Sequence, residues 1–146
     1  TKILYQIVFG SKSRDRFFDR SNQEKLFNYI AGISRNKKCY PYKIGGDANH
    51  VHLIIELHKT QYLSGYVQEV KKATHNWIME NHSIYSHFPG WQIGYSAFTY
   101  DFSSLENLRR YVENQNEHHR IASFEEEYIS LLKEHGIDYN EKYIWE

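Results

Sequence analysis

The apolar residues of this chain change period in a set order, strand-like then helix-like, and that order restricts the fold more than any single motif. Leu4 to Phe9 is rich in β-formers and predicts a first strand that ends at Gly10. Ser21 and Glu24 stand at capping-box spacing ahead of Leu26, Phe27, Ile30 and Ile33, which share one helical face, so a helix is expected to start there. Tyr40 to Ile44 and His50 to Leu57 are strand-like runs, and Gly45, Gly46 and Asp47 between them have the chemistry of a hairpin turn. Leu63, Tyr66, Val67, Val70, Trp77 and Ile78 then repeat at three and four with polar residues opposite, the pattern of an amphipathic helix. Beyond Pro89 and Gly90, the stretch Trp91 to Tyr100 predicts another strand. Ser103 and Glu106 repeat the capping box before a helix through Leu105, Leu108, Val112 and Gln115; Ser123 and Glu126 open a last helix, with Gly136 as its stop.

Strand, helix, strand, strand, helix, strand, then helices is the split βαββαβ order of an α+β, ferredoxin-like sandwich with an antiparallel sheet and C-terminal helices. At 146 residues the chain suits one domain over residues 1–146, and 40% hydrophobic with 25% charged residues is ordinary for a globular protein. The lone Cys39 can form no internal disulfide, which suits a reducing cytoplasm, and it rules out a zinc site built from several cysteines. The opening apolar stretch is too short for a membrane span or a signal peptide, so a cytoplasmic protein with no membrane partner is expected.

Net charge is +0, which argues at first sight against a nucleic-acid partner, but the distribution is uneven. Residues 1–120 hold 16 Lys and Arg against 11 Asp and Glu, and residues 121–146 hold 2 against 7. The basic part offers Lys12, Arg14, Lys71, Lys72, Arg109 and Arg110 as candidate phosphate contacts, or equally as a solvated surface. Aromatic residues at 16% suit base stacking as well as core packing.

Two short motifs could carry chemistry. In a strand, His50 and His52 face one way and Val51 the other, so the two imidazoles could chelate one divalent cation; read alone, they are equally a pair of hydrogen-bonded histidines. Tyr111 and Gln115 are four apart on a helix and therefore neighbours, and Tyr111 alone among 13 tyrosines has a glutamine at that distance. Read alone, they are equally a half-buried aromatic and a surface amide. Together the four suit phosphoryl transfer, which needs a nucleophile in line and a cation on the non-bridging oxygens. A tyrosine nucleophile would conserve the phosphodiester energy in a covalent link. No phosphate-cradling glycine loop is present, so no nucleotide cofactor is expected. Imidazole ligands by themselves leave the ion open among transition metals.

The runs Gly45-Gly46-Asp47-Ala48-Asn49-His50-Val51-His52-Leu53-Ile54, Trp91-Gln92-Ile93-Gly94-Tyr95-Ser96-Ala97-Phe98 and Tyr111 to Arg120 resemble the HUH single-tyrosine transposases of small bacterial and archaeal insertion sequences and their REP-associated relatives. The likeness runs from Tyr5 to Trp145. It implies that Tyr111 attacks a phosphodiester of single-stranded DNA at a hairpin-marked element end, giving a 5′-phosphotyrosine and a free 3′-hydroxyl. It implies Mg2+ or Mn2+ held by His50, His52 and Gln115, and a homodimer in which the tyrosine helix can complete the partner's site. Ala48-Asn49 stand where Asp is common in the family, and Ala73-Thr74 where Gly and Ser are common; neither pair touches an expected ligand. The alternatives are an HUH replication initiator or relaxase-like nickase, and a non-catalytic protein that binds DNA hairpins. The position of Tyr111 and Gln115 downstream of His52 favours the transposase.

Overall fold

The computed structural model describes residues 2–85, 87–115 and 123–137. Strands β1 (Leu4–Gly10), β2 (Tyr40–Asp47), β3 (His50–Glu56) and β4 (Ser96–Tyr100) form one sheet in the order β2-β3-β1-β4, with every neighbouring pair antiparallel. Helices α1 (Gln23–Asn36) and α2 (Leu63–Glu80) cross over between strands, and α3 (Leu105–Glu113) and α4 (Phe124–Glu134) follow the sheet. This is the expected ferredoxin-like sandwich with C-terminal helices.

Alternation along the strands sorts the side chains into two layers. Ile7 and Phe9 of β1 and Val51, Leu53 and Ile55 of β3 bury themselves against Leu26, Phe27 and Ile30 of α1 and Tyr66, Val67, Val70 and Ile78 of α2. The opposite face carries Leu4 and Ile54 under Leu108 and Val112 of α3, and Val8 and Phe98 under Phe124, Tyr128, Leu131 and Leu132 of α4. His50 and His52 belong to this second face, so α3 and α4 are the elements that can build a site around them.

Several local expectations are corrected. The hairpin turn is Ala48-Asn49, and Gly45, Gly46 and Asp47 belong to β2, paired with His52, Val51 and His50. These glycines serve close approach. A Cβ on Gly46 would stand 2.1 Å from the carbonyl oxygen of His50, and one on Gly45 would stand 2.5 Å from Val112 Cγ1. Only Ser96–Tyr100 of the expected strand Trp91 to Tyr100 pairs with β1, apart from one bridge between Trp91 and Ser11. The reason is Lys71, whose ammonium donates to the carbonyls of Gln92, Ile93 and Gly94 at 2.9, 3.3 and 2.7 Å and holds that segment off the ladder.

The Ser21 capping box does not form. Asn22 is the residue before α1, and the Ser21 hydroxyl donates to Asp19 Oδ1. Nor does Ser103 cap α3: Asp101 accepts from the Ser103 backbone N–H to open a 3₁₀ turn over Phe102–Ser104, and the helix follows. At α4 the expected cap is present, with Ser123 Oγ accepting from the Glu126 N–H at 3.2 Å, and Gly136 with φ 65 lies just past the helix end. No helix among the described residues is long and apolar enough to cross a membrane.

Candidate active site

His50 and His52 are completely buried, at 0% exposure, with ring centroids 5.1 Å apart. Each ring turns Nδ1 away from the space between them and towards a side-chain amide. His50 Nδ1 lies 2.8 Å from Asn49 Oδ1, so Asn49, expected to stand clear of the ligands, touches one of them, and His52 Nδ1 lies 2.9 Å from Gln6 Oε1. The orientation of both amides is set by what their NH2 groups do: Asn49 Nδ2 donates to the carbonyl of Arg14 at 3.0 Å, and Gln6 Nε2 donates to the Tyr100 hydroxyl at 3.1 Å. Both amide oxygens are therefore acceptors, each Nδ1 carries the proton, and in the neutral rings each Nε2 presents a lone pair to the site.

The groups facing those lone pairs are oxygens. Gln115 Oε1 lies 3.2 Å from His50 Nε2, while Gln115 Nε2 donates to the carbonyl of Tyr111 at 3.3 Å. Glu127 Oε1 of α4 lies 2.8 Å from His52 Nε2, and among the described residues this buried Nε2 has no hydrogen bond of good geometry. Acceptors aimed at one another across a buried space need a proton or a cation between them. The nitrogen and oxygen atoms that His50, His52 and Glu127 can offer all lie within 4.8 Å of one another. The donor set of two imidazoles, an amide oxygen and a carboxylate, with each imidazole anchored through its other nitrogen, suits a divalent cation.

Tyr111 reaches this cluster from the second turn of α3. Its ring meets His52 edge-on at 5.8 Å. Burial pushes its pKa upward, as do the charge of Glu127 and the hydrogen bond to it, and a hydrogen bond with Gln115 works the other way. The hydroxyl therefore holds its proton firmly in this arrangement. Gly45 sets the depth at which the tyrosine helix docks, because the Val112 side chain and carbonyl occupy the space that a Cβ at Gly45 would take. Gln115 lies two residues beyond the end of α3 and is 1% exposed.

The structure thus brings together Tyr111, His50, His52 and Gln115, and it adds Glu127, which nothing in the sequence pattern singled out. Glu125, Glu126 and Glu127 fill the first turn of α4, where acids ordinarily complement the helix dipole, so the run gave no sign that its third member turns inward. Phe124 supplies the rest of the roof. Its ring stacks on His50 at 4.0 Å with an interplanar angle of 5°, over Gly10, where a Cβ would stand 2.9 Å from Phe124 Cε2.

The six basic candidates sit in three parts of the chain, just after β1, on α2 and on α3. Lys12 is exposed beside Gly90, and Arg14 pairs with Glu125 of α4 at 2.8 Å. Lys71 is committed to the three carbonyls, and burial lowers its pKa to about 8. Lys72 is exposed on α2, in the layer remote from the histidines. Arg109 sits over the Tyr42 ring of the edge strand β2 and 3.6 Å from Glu106, with Arg110 exposed next to it. His118 and His119 lie outside the described residues.

Known families can be set against this geometry. Residues 1–115 match the family model described as "Transposase IS200 like", a span that ends on Gln115. The chain belongs to the IS200-like transposase family. No curated protein sequence matches it. Among solved structures, a candidate transposase from Deinococcus radiodurans R1 superposes with a TM-score of 0.62 at 18% identity, covering 79% of this chain and 92% of that one. A REP-associated tyrosine transposase bound to a REP hairpin superposes with a TM-score of 0.59 at 13% identity, covering 80% of this chain and 67% of that one. At such identities the two structures speak for the shared fold, and the family match makes the protein a transposase.

Proposed function

We propose that this transposase cuts and rejoins single-stranded DNA at hairpin-marked ends, with Tyr111 as the nucleophile and His50, His52 and Gln115 as ligands of Mg2+ or Mn2+. The observation that carries the reading is the convergence, from β3 and the residues just past α3, of two Nε2 lone pairs and an amide oxygen beside the tyrosine. Hairpin recognition is supported by the REP-associated neighbour, which was solved with a hairpin bound. The basic candidates Lys12, Arg14, Lys72, Arg109 and Arg110 are proposed to meet phosphates; Lys71 would first have to give up its carbonyl partners.

In this reading the Tyr111 phenolic oxygen gives up its proton and bonds to the phosphorus, the bond from phosphorus to the 3′-oxygen breaks, and the 3′-oxygen takes up a proton. The product is a 5′-phosphotyrosine and a free 3′-hydroxyl, and reversal with another 3′-hydroxyl reseals the strand. A bound dication supplies polarisation of the non-bridging phosphate oxygens. Asn49 and Gln6 keep the imidazoles in the tautomer that such binding needs. Gln115 orients its oxygen by tying its own NH2 to the Tyr111 carbonyl, which links nucleophile and ligand within one helical turn. Both imidazoles are fully covered here, with Phe124 stacked on His50, so a DNA strand reaches them only after that cover shifts.

The test is a denaturing gel of protein incubated with labelled single-stranded hairpin DNA and Mg2+ or Mn2+. Wild type should form a covalent adduct, and Tyr111→Phe should form none while still shifting the hairpin on a native gel. Tight hairpin binding by wild type with no adduct on any hairpin substrate would favour a non-catalytic binding protein.

A further inference from the structure

We propose that Glu127 is a further ligand of the cation, supplied by the helix downstream of the tyrosine. The inference rests on the metal-dependent reading above and extends it to a residue that neither the histidine motif nor the matched span 1–115 contains.

Three independent features place the carboxylate there. The first is distance: Glu127 Oε1 lies 2.8 Å from His52 Nε2, close to the roughly 3 Å that separates adjacent corners of an octahedron with bonds of about 2.1 Å. The second is burial. Glu127 is 9% exposed, and a carboxylate withdrawn from water requires a positive partner. Its carboxylate faces the buried His52 at ion-pair distance. The third is the way α4 is docked: Ser123 caps it, Phe124 lies flat on His50 above Gly10, and Tyr128 and Ser96 join their hydroxyls, so Glu127 is aimed inward by contacts on both sides.

The chemical consequence follows from charge. Two imidazoles and an amide are neutral ligands, and they leave a bound dication its full charge. A carboxylate lowers the net charge of the site by one and adds a hard oxygen, the donor that Mg2+ and Mn2+ prefer.

The experiment uses the whole protein without DNA and Mn2+ alone as probe, followed by isothermal titration calorimetry and by the loss of the free-ion Mn2+ paramagnetic resonance signal. Wild type should bind one ion, His50→Ala with His52→Ala should abolish binding, and Glu127→Ala and the nearly isosteric Glu127→Gln should each weaken it at least tenfold. Glu127→Asp should recover part of the loss, and Tyr111→Phe should bind within about threefold of wild type. If wild type binds through the histidines and both Glu127 variants, shown folded by circular dichroism, bind equally well, the carboxylate is only the partner of an imidazolium and the inference falls. If wild type shows no histidine-dependent binding, the metal-dependent reading falls with it. Should Glu127→Ala fail to fold, the affinity of Glu127→Gln alone decides between the two roles of the carboxylate.

Discussion

Replacing Gly45 by Ala tests the docking of the tyrosine helix without touching any ligand or the nucleophile. The added Cβ would stand 2.5 Å from Val112 Cγ1 and 2.8 Å from the Val112 carbonyl oxygen. The valine methyl can turn aside, but the carbonyl belongs to the backbone of α3 and cannot. Ordinary contact begins near 3.4 Å, so the helix must retreat by roughly 0.5–1 Å and carry Tyr111, the neighbour of Val112, away from His52. A misplacement of about 1 Å costs about 100-fold in rate, or about 2.7 kcal/mol of barrier. Single-turnover cleavage of a labelled hairpin strand should therefore fall by about two orders of magnitude, while hairpin affinity on a native gel stays within a few-fold. Gly32→Ala is the control, since a Cβ there meets nothing within 4 Å, and it should leave cleavage unchanged. Wild-type cleavage by a folded Gly45→Ala protein would show that helix docking does not set the position of the tyrosine.

Three further outcomes are expected. The double variant His50→Ala, His52→Ala should lose all response of cleavage to Mn2+, and an unchanged metal titration would remove the histidines from the site. Because Tyr111 and both histidines meet within one chain here, mixing Tyr111→Phe protein with the double histidine variant should restore no cleavage; recovery would show that the tyrosine helix acts in the partner's site. On the alkaline side, Tyr85 and Tyr100 are pushed from near 10 up to about 12, chiefly by burial and then by the charges of Asp19 and Glu134 respectively. The native state keeps these protons where the unfolded chain releases them, so the stability they contribute is complete below pH 10 and is lost between pH 10 and about 12. Urea midpoints should fall across that window, and phenolate absorbance at 295 nm should rise together with loss of the far-ultraviolet signal; tyrosines that titrate freely before unfolding would contradict their burial.

How much could be read without coordinates depended on whether a residue acts through its own period or through a distant contact. β1, α2 and the cap of α4 follow from local pattern, and so does the common facing of His50 and His52. Gly45-Gly46-Asp47 misled because glycine is equally at home in a turn and under a closely packed helix, and only the position of Val112 distinguishes the two. Trp91 to Tyr95 has strand composition but is held in irregular form by Lys71, twenty or more residues earlier in the chain. Tyr111 and Gln115 were legible as neighbours through helical spacing, whereas the inward turn of Glu127 depends on Phe124 finding His50 across the sheet. No sequence window contains that contact.

The two-residue turn at Ala48-Asn49 ties the site to the register of the sheet. Side chains on β3 alternate, so the imidazoles of His50 and His52 and the apolar groups of Val51, Leu53 and Ile55 are sorted by one pairing decision at Asp47 and His50. A slip of a single residue would drive both imidazoles into the aliphatic layer beneath α1 and α2 and leave three branched hydrophobes facing the tyrosine. A chain paired out of step could therefore neither close its core nor assemble its ligands. The hairpin acts as a checkpoint on folding, and a population with an intact core is also one in which the histidines face α3.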